Sequence, residues 1–282
     1  MKDRPAASKS FQFLEYSPLG STPESTHDVS VNKGSFWSYC GPLLTDAEAI
    51  PSSLHDWTSA TLSDPLLPLL LPFLAFANDF IAENGLDHYW LTIRATKATA
   101  EFNKPRWHTD DLFFSRDTDQ TSLKSSRGGL TKPKPSLDLS TDWKLCTTLL
   151  GPPTVFIPAE RQASARATLR ATKRALATEH ACSSIRCVGC AATADAVRER
   201  LSAELAPLGR VQASPGQCAF FRIGQERGAV HSEPCMGEGD RVFVNVVPGT
   251  EKELEGLVRR WGMGFPRSWW VAPGVLRDHN GT

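Results

Sequence analysis

The sequence predicts a mainly β fold, a sandwich or barrel, with helices packed on its flanks. Three observations carry this. From Tyr89 onward, short runs rich in β-branched and aromatic residues recur between Gly and Pro turns. Segments with helical periodicity are few and lie before, between or after those runs. The chain has 282 residues, a length at which one large β domain is as ordinary as two smaller ones.

Residues 1–34 are rich in Ser, Thr, Pro and Lys without sustained periodicity, and they read as a flexible N-terminal arm. The remainder, 35–282, reads as a single domain. Its first helix is signalled by Asp64-Pro65 and Pro72. Phe73, Phe76, Ala77, Phe80 and Ile81 then fall on one face, and the helix stops at Gly85. Strands are expected at Tyr89–Thr99, Lys144–Leu150, Thr154–Ile157, Gln217–Ile223, Ala229–His231 and Arg241–Val247. Between the first two, the polar stretch 115–142, with Gly128, Gly129, Pro133 and Pro135, reads as a lid insertion. A helical insertion spans 158–209. Pro158 opens its first helix, and Thr193 caps a second that carries Val197, Leu201 and Leu205 on one face. Glu251–Trp261 reads as a short helix, and Phe265, Trp269 and Trp270 as packing aromatics.

Lys+Arg and Asp+Glu are equal at 31, so net charge offers no argument for nucleic acid or an anionic membrane as partner. Arg166, Arg170 and Arg174 share a helix face, but Glu160 and Glu179 bracket them, which fits a solvated face. The longest apolar run, Leu66–Ala77, is interrupted by Pro68 and Pro72 and is too short to span a bilayer. The first residues lack the apolar stretch of a secretory signal, and seven cysteines form no even disulfide framework, so a cytoplasmic protein with reduced thiols is expected. His180, Cys182, Cys187, Cys190 and Cys218 superficially match zinc or iron–sulfur spacing; inert thiols between helices are the simpler reading. Cys235 is expected to be exposed.

The Gly-x-Ser-x-Gly elbow, the phosphate loop, the dinucleotide fingerprint and His-Glu-x-x-His are all absent. What stands out is His108-Thr109-Asp110 after a strand-like run, with His231 far downstream. Alternate side chains of an extended segment point the same way, so His108 and Asp110 can reach one metal while Trp107 and Thr109 face away. A histidine from a neighbouring strand completes one face of an octahedron, as in non-haem Fe(II) sites. Asp111 and Glu233 are competing carboxylates. Arg241, ten residues beyond His231, starts the next strand after a turn with Gly237 and Gly239, and its planar fork suits a carboxylate.

In His108/Asp110, His231 and Arg241, taken in that order, the stretch from Tyr89 to Pro248 resembles the Fe(II)/2-oxoglutarate-dependent dioxygenase superfamily. Arg106-Trp-His-Thr-Asp together with Thr147-Thr-Leu-Leu-Gly-Pro-Pro-Thr is similar to a little-characterised microbial branch of it. The resemblance implies a double-stranded β-helix (jelly-roll or cupin-like) core over 35–282. It implies Fe(II) held by His108, Asp110 and His231, with O2 and 2-oxoglutarate as co-substrates and Arg241 on the distal carboxylate. It implies an oxidation (hydroxylation, desaturation or ring formation), for which a small natural-product or amino-acid-like substrate is expected. Two other readings stay open: a metal-dependent β-barrel enzyme that does not use 2-oxoglutarate, and a non-catalytic ligand-binding or scaffold protein. Arg94, Lys97 and Arg222 are further candidates for a substrate carboxylate or for the other end of 2-oxoglutarate, Trp107 and Phe114 for a pocket wall, and Asn103 and Thr148 for polar contacts near the site.

Overall fold

The computed structural model describes residues 10–17, 29–45, 49–100, 103–114, 143–177, 187–237 and 239–271. Among these residues ten strands run in chain order: β1 (Phe11–Glu15), β2 (Ser35–Pro42), β3 (His88–Thr96), β4 (Trp143–Leu150), β5 (Val155–Phe156), β6 (Val211–Gln212), β7 (Gln217–Arg222), β8 (His231–Ser232), β9 (Arg241–Gly249) and β10 (Arg267–Trp270). Five α-helices accompany them among the same residues: α1 (Ser52–Thr61), α2 (Leu67–Glu83), α3 (Gln162–Ala175), α4 (Val188–Leu205) and α5 (Glu251–Arg259). The strands form an antiparallel seven-stranded sheet, β1-β7-β4-β9-β3-β2-β10, and a three-stranded sheet, β6-β5-β8. The predicted mainly β class with flanking helices therefore holds. The two sheets remain open and separate among the described residues.

The side-chain period of two divides the large sheet into two faces. Trp37, Tyr39, Tyr89, Leu91, Ile93, Leu145, Phe220, Val242, Val244 and Val246 share one face and are buried against α1 and α2. The matching stripe on α2 is Phe73, Leu74, Ala77 and Ile81. This helix begins at Leu67, with Pro68 in its first turn where a missing N–H costs nothing, and it carries Pro72 in its interior.

On the other face, Phe11 stacks on Phe156 of β5 at 4.8 Å and Phe156 meets Phe221 at 5.3 Å, which seats the small sheet over one part of the large one. Helices α3 and α4 cover the small sheet through Ile157, Leu169, Leu201, Leu205 and Val230. The buried amide of Gln162 ties this layer together. It donates to the carbonyls of Ile157 and Val230 and accepts from the Val230 N–H.

Several elements depart from expectation. The segment Phe11–Glu15, inside the predicted arm, is an edge strand with Phe11 buried; the rest of 1–9 and 18–28 lies outside the described residues. Strands β2 and β10 and helix α1 were not anticipated, because Phe36, Trp37 and Tyr39 put aromatics on both faces of β2 and so hide its alternation. Helix α4 starts at Val188, and the Thr193 hydroxyl donates to the Gly189 carbonyl inside it instead of capping it. The predicted lid, 115–142, lies outside the described residues.

Candidate metal centre

The site begins with a backbone pairing. The His108 N–H donates to the His231 carbonyl at 2.9 Å and the His231 N–H returns the bond to the His108 carbonyl at 3.0 Å. Two residues that exchange both bonds stand directly opposite each other with side chains on the same face, and the two imidazole centroids lie 4.4 Å apart. The bridge adds His108 to the free edge of β8, whose other edge pairs with β5. Asp110, two residues along, returns to that same face. It is anchored by its carbonyl, which accepts from the Gly224 N–H at 2.7 Å.

Each imidazole is oriented by its own chain. His108 Nδ1 lies 2.7 Å from the Arg106 carbonyl and His231 Nδ1 lies 2.9 Å from the Ala229 carbonyl. A carbonyl only accepts, so both Nδ1 atoms carry a proton; each ring in its neutral form then presents an Nε2 lone pair, whereas a protonated His108 donates from Nε2 to Asp110. These Nε2 atoms stand 3.5 and 3.7 Å from Asp110 Oδ1, and all three ligand atoms lie within 4.8 Å of one another. Two imidazole nitrogens and one carboxylate oxygen converging in this way fit a divalent ion of borderline hardness. Among the described residues this is the only cluster of three or more His, Cys, Asp or Glu so arranged.

The electrostatics are those of a ligand set. Burial opposes ionisation of Asp110, but the Lys144 ammonium, the His108 hydrogen bond and His231 outweigh it and hold the carboxyl well below its usual range. Burial and the neighbouring His108 push His231 down to about 4, so this ring is neutral near pH 7. His108 is also pulled down by burial, yet Asp110 and Glu233 raise it overall. Lys144, itself buried, pairs with Asp110 Oδ2, the oxygen turned away from the imidazoles, and its Nζ lies 5.0 Å from the Phe221 ring centre.

A cavity of about 620 Å³ opens over the triad. Its floor is the inner face of the large sheet, and strand register places the residues: Phe36, Arg94 and Phe243 form one row, Ser38, Thr92, Asn245 and Cys146 the next, and Trp90 and Lys144 belong to a third. At the head of β9, Arg241 shares the cavity and is 5% exposed. Its Nε donates to the Pro152 carbonyl and its Nη2 to the Thr154 hydroxyl, both at 3.0 Å, and its guanidinium lies 4.4 Å from the Phe243 ring centre. Burial lowers its pKa to about 10, which leaves it charged. No carboxylate among the described residues pairs with it, so a buried cation faces the cavity without a counter-ion.

His108, Asp110, His231 and Arg241 are thus brought together, and Arg94 joins them on the floor. The remaining sequence candidates fall elsewhere. Lys97 is exposed beyond the end of β3. Arg222 lies on the opposite face of the sheet, 4.4 Å from the ring centre of Trp143. Trp107 is buried under the helical layer with Leu169 and Val230, and Phe114 is buried against Val247 and Leu254. Asn103 accepts a hydrogen bond from the Cys235 thiol through its carbonyl, and Thr148 is absent from the cavity lining. The competing Asp111 accepts from the Gln225 amide outside the site, whereas Glu233 does line the cavity and pairs with Arg106 at 3.6 Å. Cys218 is buried in the sheet and Cys190 exposed on α4, so these two share no site; His180 and Cys182 lie outside the described residues. Sequence reasoning missed Lys144 and Thr154. Lys144 is the second residue of β4, between the apolar Trp143 and Leu145-Cys146, and a lone cation so placed was the available signal.

Fold and site together define a mainly β protein with a candidate two-histidine, one-carboxylate metal centre. In comparisons with known proteins the chain matches no family model and no curated protein, so the functional reading stands on this geometry.

Proposed function

We propose that this chain is an Fe(II)/2-oxoglutarate-dependent oxygenase acting on a small molecule. The observation that carries the reading is the sharing of one cavity by two kinds of group. One is a convergent His108/Asp110/His231 set whose neutral imidazoles present Nε2 lone pairs; the other is a buried guanidinium at Arg241 that no carboxylate among the described residues pairs with. The placement of the ligands on the small sheet and its bridging segment, with the arginine at the head of β9 in the large sheet, supports a double-stranded β-helix.

Iron bound here would supply O2 activation coupled to oxidation of 2-oxoglutarate to succinate and CO2. The chain's own residues do the rest. His108, Asp110 and His231 approach from one side, which leaves the side facing the cavity for exogenous ligands. Arg241 offers its remaining N–H groups to a carboxylate. Because it is dry and already fixed by Pro152 and Thr154, little freedom is lost when an anion docks. Phe221, Phe243 and Trp90 keep the surroundings apolar, which strengthens that charge-assisted contact and excludes water from the reacting C–H bond.

The test is the visible charge-transfer band of the iron chelate under anaerobic conditions. Fe(II) with 2-oxoglutarate is expected to give the band in the unmodified protein, and His108→Ala and Asp110→Ala to abolish it. Arg241→Ala is expected to retain iron while raising the half-saturating 2-oxoglutarate concentration roughly tenfold or more. Correctly folded, iron-loaded protein without a band would sink this reading. A metal enzyme that uses Arg241 for a substrate anion would then replace it.

A further inference from the structure

The cavity is larger than the metal end requires, and its outer part has a chemistry of its own. Trp90 of β3, Trp261 after α5 and Trp269 of β10 all line it, joined by Met263. Trp90 meets Trp261 edge to face at 5.3 Å, and Trp261 meets Trp269 at 6.4 Å. Trp261 is 48% exposed and lines the cavity, so its indole is open to a guest that enters there.

Charge decides which guest. Among the described residues, the charged side chains lining the cavity are Arg94, Lys144 and Arg241 against Asp110 and Glu233. Lys144 is taken by Asp110 and Glu233 by Arg106. A divalent metal and a dicarboxylate co-substrate cancel each other, so the excess positive charge remains. Arg94 is exposed and has no carboxylate within ion-pair distance among the described residues. Indole walls ordinarily also suit a quaternary ammonium, but this excess of cations repels one.

Geometry sets the length. Trp90 and Arg94 lie on the same face of β3, four residues apart, which is about 13 Å of strand. Thr92 lies between them, its hydroxyl hydrogen-bonded to Ser38 at 3.1 Å, so the intervening floor is polar. We propose that the substrate is an elongated carboxylate with a flat apolar ring at its far end. The ring rests on Trp90, Trp261 and Trp269, a short chain crosses Ser38 and Thr92, and the carboxylate meets Arg94. This deepens the oxygenase reading and rests on it for the reaction, while the binding claim has its own test.

Calorimetric titration of the full chain with indole-3-butyrate, its amide, indole-3-acetate and octanoate tests it, with and without Mn(II) and 2-oxoglutarate. Indole-3-butyrate is expected to bind about tenfold more tightly than each of the other three. Arg94→Gln should bring acid and amide within about twofold of each other. Trp261→Ala should weaken both about equally while keeping the acid preferred. Acid and amide binding alike in the unmodified protein, an acid preference that survives Arg94→Gln, or displacement of the probe by 2-oxoglutarate would each overturn the proposal, the last by putting the anion on Arg241. Failure of the iron chelate band alongside Arg94-dependent probe binding removes the oxygenase reading and leaves the substrate-binding claim supported.

Discussion

Lys144 has no counterpart among the sequence-level site residues, yet it sets how Asp110 behaves. By holding Oδ2 it leaves Oδ1 alone to face the two imidazoles, and it compensates a carboxylate that would otherwise be buried without a partner. Lys144→Met is therefore expected to lower the stability of the metal-free protein by about 3 kcal/mol, read by denaturant unfolding. A divalent ion restores the missing positive charge, so its stabilising effect should be larger in the variant than in the unmodified protein; equal shifts would contradict this role. The ligands themselves were legible because alternation along an extended segment is a local rule, and His108 and Asp110 obey it. Trp107, Phe114 and Arg222 misled because strand parity and the covering helices decide which face a side chain meets. Those depend on pairing partners far away in sequence.

At the level of elements, the turn between β4 and β5 governs Arg241. Gly151 adopts φ of +80°, and a Cβ there would lie 2.1 Å from the Asp240 carbonyl oxygen, immediately before Arg241. Gly151→Ala combines a disfavoured backbone with that clash, and is expected to cost roughly 2 kcal/mol or more. It should also displace the Pro152 carbonyl that fixes the guanidinium, raising the 2-oxoglutarate concentration needed for the chelate band several-fold. Helix α5 offers a milder comparison. Its capping box pairs Thr250 with Glu253, and Thr250→Ala should cost about 1 kcal/mol without affecting the band. Strands β3, β4, β7 and β9 and helices α2, α3 and α5 were readable from periodicity and punctuation. Strands β1 and β10 were not: they are short edge strands that owe their order to partners on the sheet, and Phe11 gains its burial from Phe156.

For the whole molecule, the proposed metal is a cross-brace. His231 belongs to the small sheet, while His108 and Asp110 lie on a segment held there by one backbone bridge and by Gly224. An ion joining all three binds only the folded chain. Fe(II) or Mn(II) at about 100 times its dissociation constant should add about 2.7 kcal/mol to unfolding stability. EDTA should reverse the gain, and His108→Ala and His231→Ala should show none of it. The fold class was readable from composition and strand spacing, since repeated short β runs leave few other architectures. How the strands divide between two sheets was not, because sheet order is a long-range property: β9 sits between β3 and β4, and no local pattern encodes that adjacency.

The reciprocal pair of amide bonds between residues 108 and 231 gives the site a built-in reporter. Neither amide proton can be released to solvent while the bridge is closed, and opening it frees both. Deuterium uptake at these two positions, each divided by the exchange rate of the same amide in an unfolded chain, should therefore give one common protection factor in NMR, and that protection should rise when an ion is bound. Two unrelated protection factors would mean that the imidazoles are held by separate restraints.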